Sequence, residues 1–318
     1  MNQQTNTNLT EHTPEKVIII GSGPAALAAS LYTARSGLNP LVVEGKEPGG
    51  QLMWTNIIEN WPGQISTTGP ELIFTMRKQT QYFGTRFLSQ QIVNVDFTQK
   101  PFMLTTHKQV NLYAHSVIIA TGSVPKRLGC KGEDTYWGKG VGVCAVCDGA
   151  FYRNLPVIIV GGGNRAVENA LFMTNFTDSI TMIQLTDELT ATQTLKDQTL
   201  RHRSIKIIYN STLTEIKGDG TRATQAVVHN TLTEQKTTVE AYGIFVSIGS
   251  LPNTQPFINA IDLTPDGYIL LADHTQTSCP GVFAAGDVAD ARYRQAITSA
   301  ATGCMAALDT ERYLQELL

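Results

Sequence analysis

Two stretches of the chain repeat one pattern of apolar and polar positions. "VIIIGSGPAALAASLYTARSGLNPLVVEG", from Val17, and "VIIVGGGNRAVENALFMTNFTDSITMIQL", from Val157, align without a gap at an offset of 140 residues. Each opens on a continuous β-branched run, the signature of a strand buried on both faces. A glycine turn follows, then a helical stretch, then a second apolar strand. That order predicts a βαβ unit with parallel strands, present twice.

The turn in each copy reads Gly-x-Gly-x-x-Ala, the dinucleotide fingerprint. Gly21 and Gly161 allow the tight turn. Gly23 and Gly163 let backbone approach a pyrophosphate, and Ala26 and Ala166 let helix pack closely on strand. The helix N-terminus then faces the phosphates. A glycine turn occurs in many α/β proteins, but two in the same strand-turn-helix-strand context argue for nucleotide sites. Glu44 ends the second strand of the first copy, 23 residues after Gly21. An acid there suits the ribose hydroxyls of an adenine dinucleotide. Gln184 takes the same place in the second copy.

Two later segments return to the first copy. "SVIIATGSVP", Ser116 to Pro125, reads as a strand running into a glycine turn. "GVFAAGDVADARYRQAITSAATGCMAALDTERYL", from Gly281, reads as a strand, a Gly-Asp turn and a long helix. The expected fold is therefore α/β, with two Rossmann-like (ββα-sandwich-associated) nucleotide-binding domains, the second inserted into the first. Residues 17–123 and 252–318 form the split first domain, and 124–251 the insert. Residues 1–16, polar throughout, read as a disordered tail. Pro125 and "GSLPNT" mark the two crossings.

Composition narrows the class. The 318 residues are 42% hydrophobic, enough for two cores, and the net charge of -3 gives no electrostatic case for nucleic acid or a membrane surface. No apolar run approaches the roughly 20 residues of a membrane span. The start lacks the basic and apolar regions of a secretory signal, so a cytoplasmic location is expected.

Five cysteines are too few for a disulfide scaffold at this length. Cys144 and Cys147 lie in "GVCAVCDGAFYRN", followed at once by Asp148. The spacing suits half of a zinc site, but no second Cys or His pair completes one, so no metal is expected. A redox dithiol fits better: at a helix start one thiolate is stabilised and can attack a disulfide. Asp148 can carry the proton. Cys130, Cys279 and Cys304 have no motif around them and are read without a redox role.

With these motifs in place the sequence resembles the bacterial-type, low-molecular-weight thioredoxin reductases along nearly the whole chain after the tail. The resemblance rests on "GSGPA" (Gly21–Ala25), "GGQL" (Gly49–Leu52), "ENWPG" (Glu59–Gly63), "ATG" (Ala120–Gly122), "CAVCDG" (Cys144–Gly149), "GDV" (Gly286–Val288) and "YRQAITSA" (Tyr293–Ala300). It implies a homodimeric flavoenzyme with one FAD per subunit. It places Gly21, Ser22, Gly23, Pro24, Ala25, Glu44, Gly50, Gln51, Leu52, Asn60, Ala120, Thr121, Gly122, Gly286, Asp287, Arg294, Gln295 and Ala296 around that FAD. It also implies that Cys147 is the thiol nearest the flavin, that Cys144 exchanges with the partner disulfide, and that Asp148 is the acid–base group. The partner would be thioredoxin or a thioredoxin-like protein.

The second copy departs from the family. NADPH-using members carry His-Arg-Arg after the second strand and another Arg shortly beyond, because bidentate arginines suit a 2′-phosphate dianion. Here Gln184, Leu185, Thr186 and Thr190 stand in those places. No Lys or Arg occurs from Ile180 until Lys196, and Asp187 and Glu188 add negative charge. Arg165 replaces a small residue at the start of the helix, where it either holds a pyrophosphate, fills the site or points to solvent. With Gly161, Gly163, Ala166 and Gln184 it makes a degenerate second nucleotide site. NADPH use is not expected. NADH is open, since Gln can accept a hydrogen bond, though a poorer reader than an acid. Reduced ferredoxin or another reductant is the leading alternative donor, and a dithiol oxidase passing electrons to oxygen is a third reading.

Overall fold

The structure is a computed structural model and describes residues 13–317. The chain divides into two compact units, one running to Val124 and resuming at Leu251, the other Pro125–Ser250.

The first unit opens with β1 (Glu15–Ile20), α1 (Pro24–Arg35) and β2 (Leu41–Val43). Glu15 and Lys16, assigned to the tail by the sequence reading, thus belong to the strand. The Arg86 guanidinium pairs with the Glu15 carboxylate and ties this strand end down. Residues 1–12 of that tail lie outside the described residues. Next come α2 (Gly69–Tyr82), β3 (Arg86–Leu88), β4 (Ile92–Asp96), β5 (Phe102–Thr106), β6 (Asn111–Ile119) and the crossing strand β7 (Ser123–Pro125). The sheet order is β3-β2-β1-β6-β5-β4. β1, β2, β3 and β6 run parallel, while β5 and β4 are antiparallel.

Alternation on β1 explains its apolar run. Ile18 and Ile20 face one core with Leu41, Val43 and Phe102, while Val17 and Ile19 face another with Ala26, Val42 and Phe283. Both faces are covered, so no polar position is tolerated.

The second unit contains α3 (Glu133–Tyr136), β8 (Val141–Gly142), α4 (Ala145–Asp148), β9 (Val157–Val160), α5 (Asn164–Met173), β10 (Ile180–Ile183), α6 (Gln193–Arg201) and β11 (Ile205–Ile208). It continues with β12 (Ser211–Gly218), β13 (Ala223–Asn230), β14 (Lys236–Glu240) and β15 (Gly243–Val246). A five-stranded sheet has the order β11-β10-β9-β15-β8, and β12-β13-β14 form a separate antiparallel sheet. Ile158 and Val160 face one core, and Val157 and Ile159 the other, repeating the logic of β1. The return strand β16 (Ser250–Pro252) pairs with β7. The chain then supplies β17 (Val282–Ala284), parallel to β6, and the 21-residue α7 (Ala296–Glu316). Both units follow the α/β, Rossmann-type order expected from the repeat.

Candidate functional site

In each unit the central strand lies between its βαβ partner and a strand from later in the chain: β2-β1-β6 in the first, β10-β9-β15 in the second. Connections leave such a strand in opposite directions, opening a crevice at its C-terminal end. The glycine loops sit there. Gly21 has φ +118°, and a Cβ on it would lie 2.2 Å from the Ala120 carbonyl oxygen. Gly161 has φ +125°, and a Cβ would lie 2.6 Å from the Ser247 carbonyl oxygen. The two copies therefore share one backbone solution, open only to glycine.

Gly23 and Gly163 are the extended N-caps of α1 and α5, and no side chain caps either helix. The first-turn N–H groups stay available to an anion. In α1, Pro24 removes one N–H that no helix partner would have used.

The first site is assembled from distant segments. The Ser22 hydroxyl donates to the Glu44 carbonyl at 2.9 Å and accepts the Gly49 N–H at 2.9 Å. This pins the Gly50–Trp54 turn, with Gly50, Gln51 and Leu52, beside the first loop. Gln51 donates to the Ser123 carbonyl at 2.6 Å, and Thr121 donates to the Asn253 carbonyl at 2.8 Å, fixing the Ala120-Thr121-Gly122 turn. Ala25 meets the returning tail: a Cβ on Gly286 would lie 2.9 Å from its Cβ. Ser299 holds Asp287 through a 3.0 Å hydrogen bond, and Asn60 donates to Gln295 at 3.3 Å. Gln295 caps α7, Ala296 begins it, and Arg294 precedes them at φ +49°. All eighteen sequence-derived positions lie in one unit.

Sequence reasoning missed what holds Glu44. Its carboxylate is buried, paired on one oxygen with Arg77 and accepting Ser89 Oγ on the other at 2.7 Å. The Arg77 guanidinium lies 3.9 Å from the centre of the Phe87 ring. Nothing in the fingerprint points to α2 or β3 as the source of these partners. Each carboxylate oxygen keeps lone-pair capacity for a ribose hydroxyl.

The cysteines form a disulfide, Cys144–Cys147, with Cα atoms 5.3 Å apart. Cys144 is the N-cap of α4, and its Sγ accepts the Cys147 N–H at 3.2 Å. Asp148 closes this turn. Partial burial pushes its carboxyl up to about 6, and partial burial, with the Asp148 charge, pushes the Tyr152 hydroxyl up to about 12. A carboxyl near 6 exchanges protons at neutral pH. Cys130, Cys279 and Cys304 are free thiols. Burial raises Cys130 to about 11, so little of it is thiolate at neutral pH.

In the second unit, Ala166 is fully buried against β9, and Arg165 is half-buried in the first turn of α5. Gln184 is buried rather than projecting outward. Its Nε2 donates to Thr186 Oγ1 at 2.7 Å and to the Glu188 carbonyl at 2.9 Å. The Thr190 N–H donates to the Gly162 carbonyl at 2.9 Å, and Asn164 accepts the Thr192 N–H at 2.8 Å. Lys196 is paired with Glu188 at 3.4 Å. Buried Leu189 and Ala191 anchor the segment, a signal readable in the sequence as two apolar residues amid polar ones.

Two dinucleotide folds and a redox disulfide define a disulfide oxidoreductase of the flavoprotein kind. Residues 15–303 match the family described as pyridine nucleotide-disulphide oxidoreductase. Thioredoxin reductase from Buchnera aphidicola subsp. Schizaphis graminum is 44% identical over 315 residues, covering 95% of this chain and 98% of that protein. Thioredoxin reductase from Rickettsia conorii is 41% identical over 305 residues, with coverage of 95% and 98%. Among solved structures, thioredoxin reductase from Giardia duodenalis superposes with a TM-score of 0.91 at 36% identity, covering 94% of this chain and 98% of that one. The chain belongs to the pyridine nucleotide-disulphide oxidoreductase family, among the thioredoxin reductases, and is a flavoprotein disulfide oxidoreductase.

Proposed function

We propose that this chain reduces the disulfide of thioredoxin, or of a similar small protein, through FAD and the Cys144–Cys147 pair, with an electron donor other than NADPH. The loop after β10 supports a donor other than NADPH. Where a 2′-phosphate needs cations, the exposed turn holds Leu185, Thr186, Asp187 and Glu188, and the next lysine, Lys196, is already paired with Glu188. Bringing a dianion to that turn sets like charges against each other. Reduced ferredoxin, NADH or another reductant would then be the donor.

FAD, when bound, supplies the two-electron carrier between donor and dithiol. The first crevice suits it. The uncapped α1 N-terminus would take the pyrophosphate, Glu44 would take ribose hydroxyls, and Gln51, Asn60, Asp287, Gln295 and Ala296 would line the remainder.

After reduction, the Cys147 N–H that points at Cys144 Sγ stabilises a thiolate there. That thiolate attacks one sulfur of the partner disulfide, forming a mixed disulfide and expelling the other partner sulfur, which takes a proton. Asp148 removes the proton from Cys147. Cys147 then attacks Cys144 Sγ, restoring the internal disulfide and releasing the partner dithiol. Two electrons leave the pair and two reach the partner.

Reduced Cys147→Ser protein mixed with oxidised thioredoxin is expected to trap a mixed disulfide through Cys144, while Cys144→Ser traps none. Trapping through Cys147, or in neither variant, contradicts these roles.

A further inference from the structure

We infer that the second glycine loop accepts an adenine dinucleotide whose ribose 2′-hydroxyl is free, and that Gln184 Oε1 is the atom that reads that hydroxyl. This makes NADH, not NADPH, the dinucleotide the loop accepts. The inference rests on the non-NADPH reading above and names the class of donor for it.

Gly162 occupies a position that the fingerprint does not require to be glycine. The Gln184 amide lies against its Cα: a Cβ would fall 2.4 Å from Gln184 Cδ and 2.5 Å from Oε1. In the first copy this position is Ser22, whose hydroxyl bonds the Glu44 backbone instead. The side chain at the ribose position has therefore been moved onto the loop itself.

The orientation of the amide is fixed. Nε2 spends both hydrogens, on Thr186 Oγ1 and the Glu188 carbonyl. Thr186 Oγ1 in turn donates to the same carbonyl at 2.9 Å. Flipping the amide would set Oε1 against the Glu188 carbonyl, acceptor against acceptor. Oε1 is thus the atom left over. No donor among the described residues reaches it, and the side chain is only 6% exposed.

An acceptor held in this way welcomes an O–H and disfavours a phosphate, which offers mainly acceptor oxygens at neutral pH. The clasp removes the freedom that would let the glutamine serve either ligand. The rest of the loop remains suited to a pyrophosphate. Gly161 keeps its tight turn, Gly163 keeps its extended cap, and no side chain covers the first turn of α5 as a cap. Gln184 lies 23 residues after Gly161, as Glu44 does after Gly21, where this fold reads the ribose hydroxyls.

The test is calorimetric titration of the FAD-loaded protein with NAD⁺ and with NADP⁺, which needs no turnover. Wild type is expected to bind NAD⁺ at least about tenfold more tightly than NADP⁺. Gln184→Leu is expected to narrow that ratio by about tenfold, the scale of one lost hydrogen bond to a well-placed acceptor. Thr186→Val, which leaves the glutamine in place but releases its amide, is expected to narrow it by a smaller factor. Unchanged FAD content and thermal midpoint show that each variant is folded, and Thr186→Val serves if Gln184→Leu is not. A ratio unmoved by either variant overturns the role of Gln184. Binding of neither nucleotide overturns the inference but leaves the non-NADPH reading standing. Tighter binding of NADP⁺ overturns both.

Discussion

Replacing Asp148 by Asn removes the proposed proton carrier without changing the shape of the turn. Burial raises this carboxyl from the ordinary 3.8 to about 6. A group at 6 is about one tenth protonated at pH 7, whereas one at 3.8 is protonated in roughly one molecule in 1,600. Burial therefore enlarges the acid form at neutral pH by roughly a hundredfold. When an incoming thiolate opens the Cys144–Cys147 disulfide, the departing sulfur takes that proton. The assay is the rate of disulfide opening by dithiothreitol from pH 5 to 8.5, in wild type and Asp148→Asn. The ratio of the two rates cancels the ionisation of the reagent. The ratio is expected to be flat below about pH 6 and to fall about tenfold per unit above it, from a plateau of about a hundredfold. A ratio already falling at pH 5, with no plateau, is the result an ordinary carboxyl near 4 would give and would refute the burial argument. A flat ratio at every pH would refute the role of Asp148 as acid.

Gly21→Ala places a methyl 2.2 Å from the Ala120 carbonyl at a φ of +118°. It is expected to cost at least about 3 kcal/mol and to leave the purified protein without FAD, measured by flavin content and thermal midpoint. Retention of full FAD would show that the loop tolerates a side chain. Arg77→Ala leaves the buried Glu44 carboxylate with Ser89 alone, at an expected cost of about 2 kcal/mol because Arg77 is itself partly exposed. Glu44→Gln restores neutrality and, added to Arg77→Ala, is expected to recover most of that loss in urea denaturation. A double variant no more stable than Arg77→Ala alone would show that charge burial is not the cause.

The parts legible in the sequence are those written locally. The 140-residue offset exposed both βαβ units, because a strand buried on two faces leaves an uninterrupted apolar run. The fingerprint glycines were legible because a tight turn admits nothing else. Cys-x-x-Cys was legible because its geometry lies within one turn. The clamp on Glu44 was not, since Arg77 and Ser89 arrive from 33 and 45 residues away. No rule of spacing connects them to the end of β2. The sequence also identified Gln184 as a weak reader of the ribose, yet gave no sign that Thr186 and the Glu188 carbonyl fix its amide. Backbone carbonyls carry no sequence signal. The three-stranded β12-β13-β14 sheet likewise escaped notice, because half-exposed strands alternate with polar residues that read as loop.

We propose that NADPH is not the donor. The most direct test is anaerobic mixing of the FAD-loaded protein with micromolar NADPH while the flavin absorbance is followed. The expected result is a flavin that stays oxidised while NADH or reduced ferredoxin bleaches it. Rapid bleaching by NADPH would contradict the claim and show that the turn from Gln184 to Thr190 accommodates a 2′-phosphate without arginine.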